Sequence, residues 1–166
     1  MAKGFNLDNS PAHLLRRATQ YANDIYTREV GDEPLTARQF AVLLTVDKQE
    51  GLSQTDLVNM TGIDRSTLAD MISRMLKKDL LRRKRTESDA RANSVSITSS
   101  GKRALGIVLG KVAKAEGQIL SPLPSGKRAD FLKMLTLVAE AGGPEVPEKV
   151  KGKKGERKGK GKRKKR

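Results

Sequence analysis

The sequence predicts a mostly α-helical fold, six helices with a single two-stranded β wing. Three observations carry that expectation. Cap residues followed by apolar residues at three- and four-residue spacing recur along most of the chain. From Ser53 to Leu68 two short helical patterns are separated by a turn containing Gly62, the layout of a helix-turn-helix. Behind them, Leu80-Leu81-Arg82-Arg83-Lys84-Arg85 and Val95-Ser96-Ile97-Thr98 read as two strands, with Asp89-Ala90-Arg91 expected in the turn that joins them. Together these predict a winged helix-turn-helix lobe at about residues 36–98. It lies within a domain spanning 10–143 whose helical ends serve dimerisation, flanked by a flexible N-terminus at 1–9 and a disordered tail at 144–166.

The first helix opens on Ser10 as N-cap with Pro11 in the first helical position, where its missing N–H costs nothing. It runs to about Glu29 with an apolar stripe of Leu14, Leu15, Ala18, Tyr21, Ala22, Ile25 and Tyr26, and Gly31 to Pro34 breaks it. Thr36 and Gln39 form a capping box for the second helix, which carries Phe40, Leu43, Leu44 and Val46 and stops at Gly51. Ser53 with Asp56 starts a short third helix that Gly62 ends. Asp64 caps the fourth, whose buried face is Leu68, Met71, Ile72 and Met75. That leaves Arg65, Ser66, Thr67, Ala69, Asp70, Ser73 and Arg74 on or near the outer side. After the wing, Ser99-Ser100 begins a fifth helix through Ala104, Leu105, Val108, Leu109, Val112 and Ala115 to about Leu120. Pro122 and Pro124 break it, and Ser125 caps a sixth with Phe131, Leu132, Leu135 and Val138, ended by Gly142-Gly143-Pro144. The end helices are more apolar than a small core requires, which points to pairing with a second copy.

Composition narrows the function. At 166 residues the chain accommodates one ordinary domain. Cys is absent and His13 is the single histidine, so disulfides, thiolate chemistry and a His metal cluster are excluded and no cofactor is expected. No paired carboxylates, nucleophile–base set or glycine-rich phosphate loop points to an enzyme. No apolar run reaches membrane-span length and Met1-Ala2-Lys3-Gly4 has no signal-peptide character, so a soluble cytoplasmic protein is expected. The net charge of +15 is uneven: Lys149 to Arg166 holds twelve basic residues against Glu156, or +11, leaving +4 for residues 1–148. Two readings of that Gly-spaced tail stand, a solubilising extension or an arm for polyanions.

The fourth helix has the features of a DNA reader. Arg65, Ser66 and Thr67 occupy its first turn, where free N–H groups and the dipole favour phosphate, and Arg can hold guanine by two hydrogen bonds. Asp70 repels phosphate there; it can accept from a cytosine amino group or orient Arg74, four residues on, with ion-pairing the favoured role.

At this point the chain resembles the MarR family of winged helix-turn-helix regulators, over roughly Leu14 to Ala141. The motifs are Ser53–Thr67, Asp89-Ala90-Arg91 in the wing, and Val95-Ser96-Ile97-Thr98-Ser99-Ser100-Gly101. The resemblance implies a homodimer through the first and last helices, binding a pseudo-palindromic operator in double-stranded DNA. The fourth helix reads the major groove and the wing tip the minor groove. It adds Ser53, Gln54, Thr55, Asp64, Arg85, Asp89 and Arg91 to the DNA-contacting candidates, with Asp89 orienting Arg91 toward a narrow A·T groove. Two departures stand out: Ala90, where relatives often have Arg, and Asp79, where they often have the Gly that accepts a left-handed turn. His13-Leu14-Leu15-Arg16-Arg17 and Leu35–Leu43, with Gly62–Met71, are similar to a branch controlling aromatic-compound degradation. Such a repressor answers to aromatic acids or their coenzyme A thioesters. His13, Arg16, Arg17 and Arg38 are then the anion-binding candidates, with Tyr21, Phe40 and Leu43 as the apolar wall. Arg38 opposes the dipole of its helix, so it calls either for an anionic ligand or for an intersubunit or intrasubunit salt bridge. The competing function is an architectural, largely sequence-independent DNA binder relying on the basic tail.

Overall fold

A computed structural model describes residues 6–86 and 89–141, with the backbone alone described at 84–86 and 89–93. The expected tail at 144–166, and residues 1–5 of the expected flexible N-terminus, lie outside them. Asn6 caps a 3-10 turn at Leu7–Asn9, so regular backbone starts before the expected boundary at residue 10. The described residues form six α-helices, α1 (Pro11–Val30), α2 (Ala37–Lys48), α3 (Gln54–Thr61), α4 (Arg65–Lys77), α5 (Ser99–Ile119) and α6 (Arg128–Ala141). Between α4 and α5 lie strands β1 (Leu81–Thr86) and β2 (Asp89–Ile97), paired antiparallel with Leu81 opposite Ile97. No helix among the described residues is long and apolar enough to cross a membrane.

The caps do what their chemistry allows. Ser10 Oγ accepts from the His13 amide, Thr36 and Gln39 complete a capping box, and Ser53 and Asp56 complete another. Gly62 ends α3 in the left-handed conformation at φ 66°, which glycine reaches without a Cβ clash. Ser125 departs from expectation. The Lys127 amide donates to the Pro124 carbonyl, closing a 3-10 turn at Ser125–Lys127, so α6 starts at Arg128 without a Ser125 cap.

One core joins the lobe to α5. It contains Val42, Leu43 and Val46 of α2, Leu57 of α3, Leu68, Ile72 and Met75 of α4, Leu81 and Val95 of the wing, and Val108 of α5. Burying each such side chain contributes about 1.5–3 kcal/mol. The Val95 amide donates to the Leu52 carbonyl, which ties the wing to the approach to α3.

The joint between α4 and α5 explains two residues at once. Asp79 takes φ 55°, the only positive φ outside glycine among the described residues. Its carboxylate accepts from Ser100 Oγ at 3.0 Å and its carbonyl from Thr98 Oγ1, so α5 offsets the cost of the missing glycine. Gly101 is needed for a different reason. A Cβ there would overlap the Leu80 carbonyl oxygen and press on the Ile97 side chain.

Candidate nucleic-acid interface

The α3–α4 turn sets up the outward surface of α4. Asp64 Oδ1 accepts from the Thr67 amide at 2.9 Å and from Ser66 Oγ at 2.7 Å. Hydrogen bonds from Thr67, then from Ser66, hold this carboxyl far below the ordinary carboxylate range. Asp64 is thus the cap of α4, with its charge already engaged, and Ser66 donates its hydroxyl proton to it rather than presenting it outward. Arg65 is exposed and extends back over the turn, its Nη2 donating to Thr55 Oγ1 of α3 at 3.3 Å. Asp70 and Arg74 pair at 2.7 Å, as the favoured reading of Asp70 anticipates.

On α3, Thr55 is exposed beside Arg65, while Gln54 is half-buried. Ser53 has its hydroxyl and backbone N–H engaged with Asp56, whose carboxyl that contact pulls down. Thr67 gives its amide to the Asp64 cap and is half-buried.

The wing differs from expectation. Thr86 pairs with Asp89, and the register slips between Arg85, which faces Asn93, and Thr86. Asp89-Ala90-Arg91 therefore belongs to β2 rather than to the turn, because the ladder continues past Arg83–Val95 through Lys84–Ser94, Arg85–Asn93 and Thr86–Asp89. The side chains of Arg85, Asp89 and Arg91 lie outside the described residues. Sequence reasoning also stopped short on α4. The outward row continues through Ser73 to Lys77 at three- and four-residue spacing, and Arg82 and Arg83 are exposed at the base of β1. The helical period alone was enough to reach Lys77.

The effector candidates are not brought together within one chain. His13, Arg16 and Arg17 line the start of α1, the arginines exposed. Tyr21 turns toward α5, its hydroxyl donating to the Gln118 carbonyl at 3.3 Å. Phe40 packs against the core, and Leu43 is fully buried in it. The expected wall of Tyr21, Phe40 and Leu43 is therefore not a wall, because the apolar stripe of α2 is used up by the lobe's own packing. Arg38 makes no ion pair among the described residues. It lines a cleft of about 320 Å³ with Ala37, Ala41, Thr61, Gly62, Ile63 and Asp64. Within one chain, therefore, no described residue supplies Arg38 with an intrasubunit salt bridge.

Comparison with known proteins agrees with this architecture. The family model described as "MarR family" matches residues 35–92. The PcaV transcriptional regulator of Streptomyces coelicolor, solved with its natural ligand, is 31% identical, covers 85% of this chain and 99% of its own, and superposes with a TM-score of 0.78. BpsR of Bordetella bronchiseptica, whose DNA binding is regulated by 6-hydroxynicotinic acid, is 26% identical over 82% of this chain and 98% of its own, with a TM-score of 0.78. The transcriptional repressor CouR, solved on a 23-mer DNA duplex, is 28% identical over 80% of this chain and 94% of its own, with a TM-score of 0.73. CouR has also been solved with p-coumaroyl-CoA.

The fold and the helix-turn-helix surface are those of a winged-helix transcriptional regulator. The chain belongs to the MarR family.

Proposed function

We propose that this regulator is a dimeric repressor, released from a pseudo-palindromic operator by an anionic aromatic acid or its coenzyme A thioester. In this reading α4 enters the major groove, with Arg65 reading a base and the wing arginines Arg85 and Arg91 reaching the backbone and the minor groove. Dimerisation uses the exposed apolar residues of α1 and α6, which set two recognition helices about one helical turn of DNA apart, roughly 10 bp.

The observation that carries ligand control is the Arg38 cleft. Its far wall is the α3–α4 turn and includes Asp64, the carboxylate that caps α4. An anion held by Arg38 lies beside that carboxylate, and their repulsion favours a different setting of the turn. Ligand shifts the equilibrium only by preferring that setting over the DNA-bound one. Its volume falls within the range of small-molecule sites. His13, Arg16 and Arg17 contribute where the second copy closes the site. The chemistry parallels what BpsR and CouR are described as binding.

The test is fluorescence anisotropy on a duplex selected by the full-length protein from a random-sequence pool, titrated with aromatic acids and aryl-CoA thioesters. Release by at least one such anion is expected. Arg38→Ala should keep duplex affinity near wild type and blunt that release. If Arg38→Ala weakens DNA binding while release from the remaining complex is normal, Arg38 is structural and the site lies elsewhere.

A further inference from the structure

Asp70 is out of place on a DNA-reading helix, and its position shows how far. At about 100° per residue, Leu68, Met71, Ile72 and Met75 point inward and Ser66, Asp70, Ser73 and Lys77 point directly away from them. Asp70 is thus in the middle of the outward face. A carboxylate there repels every phosphate of the duplex, whatever its sequence. Stability does not account for it, because an exposed i,i+4 pair contributes little to a helix. Both partners are mostly exposed, at 61% for the Arg74 side chain and 66% for that of Asp70.

The contact itself has two consequences. Nη2 of Arg74 lies 2.7 Å from Asp70 Oδ2, a charge-assisted bond that restrains a long flexible side chain along the outward face. The guanidinium has five donors in a rigid fork, so one engaged edge leaves others for a base. The pair is also neutral as a unit. Arg74 held this way adds nothing net to the release of counterions that drives binding to DNA of any sequence.

We propose that Asp70 is a specificity residue. Its ion pair positions Arg74 for a guanine edge and cancels the charge Arg74 would otherwise offer to phosphate. Arg74 then favours the right sequence without strengthening binding to DNA at large. The proposal rests on the reading of α4 as the major-groove helix.

The experiment uses full-length wild type, Asp70→Asn, Asp70→Glu and the double variant Asp70→Asn/Arg74→Gln. Each is bound to poly(dI-dC) across a salt series and put through selection from a random-sequence duplex pool. Asp70→Asn should bind poly(dI-dC) several-fold more tightly, with the slope of log K against log salt steeper by about 0.9. It should also lose roughly tenfold or more of its preference at one base pair of the selected site. Asp70→Glu, which keeps the charge, should restore both properties. The double variant should return the slope to the wild-type value, because the gain acts through Arg74. An unchanged slope and unchanged preference in Asp70→Asn overturn the proposal. So does a steeper slope with preference intact, since Arg74 would then contact phosphate alone. If wild type selects no sequence, the reading of α4 itself falls.

Discussion

The lobe and the ends of this chain are built from similar helices and finished differently. In the lobe, Val42, Leu43 and Val46 of α2 and Leu68, Met71, Ile72 and Met75 of α4 are all buried, so the apolar stripe of each helix is used within one chain. At the ends, α6 buries nothing and α1 buries only Ile25 and Val30, next to α5 and the lobe. Leu14 and Leu15 of α1 and Phe131, Leu132, Leu135 and Val138 of α6 remain exposed. An exposed apolar surface of that extent is a marker of an interface. The surface proposed for recognition therefore forms in one chain, while in the proposed dimer the spacing between two such surfaces is set by the other copy. Folding of the reader and placement of the reader should be separable by mutation.

The sharpest way to break that separation is at α6. The double substitution Leu132→Asp/Leu135→Asp places two carboxylates on a face that stays exposed in the single chain. The expected outcome is a monomer by light scattering, with helical circular dichroism retained and affinity for the selected duplex reduced by about 100-fold or more, as the second half-site no longer binds intramolecularly. A dimer that survives the change, or a monomer that keeps full specific affinity, would show that the ends do not set the spacing.

A second substitution attacks the lobe and should have the opposite signature. Gly101→Ala drives a methyl group into the Leu80 carbonyl, a backbone atom that cannot move aside as a side-chain tip can. The expected loss is about 2–4 kcal/mol of stability, read by chemical denaturation, with the oligomeric state of the remaining folded protein unchanged. Near-wild-type stability would mean that α5 slides along the α4–wing joint at little cost.

Much of this was legible from residues. Caps and helical spacing located five of the six helix starts because each depends on local hydrogen bonds that the cap residue itself supplies. Ser125 misled because a 3-10 turn, which depends on where the chain is heading after Pro124, uses the same residues as a cap. The Asp64 cap and the Asp70–Arg74 pair were readable because both are contacts within one turn of helix. The apolar wall was not readable. Periodicity says that Leu43 is apolar-facing, but not whether it faces a ligand or a core, which only the packing of α3, α4 and α5 decides. The gap between Arg38 and Tyr21 has the same origin: one faces the α3–α4 turn and the other α5.

Within the lobe, Arg65→Ala tests recognition without touching assembly. The guanidinium rests on Thr55 and supports no core residue. The expected cost is roughly 1–3 kcal/mol on the selected duplex, with relaxed preference at one base pair and an unaltered dimer. Equal weakening on every duplex would move Arg65 from base reading to phosphate contact.

The smallest effect expected is at the contact that carries α1 on α5, where the ends meet the lobe. Glu29 accepts from Lys114 Nζ at 2.8 Å and from Gln118 Nε2 at 2.8 Å, and Arg28 lies 3.6 Å away. Its carboxyl is pulled below the usual range, first by the hydrogen bond from Lys114, then by that from Gln118. A carboxyl whose folded pKa is depressed contributes stability above its unfolded value, near 4.3, and loses that contribution as pH falls through the folded value. Wild type should therefore melt above Glu29→Gln at neutral pH, and the two curves should converge as pH falls from about 5 through the depressed folded value. Thermal melts of both proteins across that window test it. A difference that persists unchanged to the acid end would mean that shape and hydrogen bonding at this contact matter, and the carboxylate charge does not.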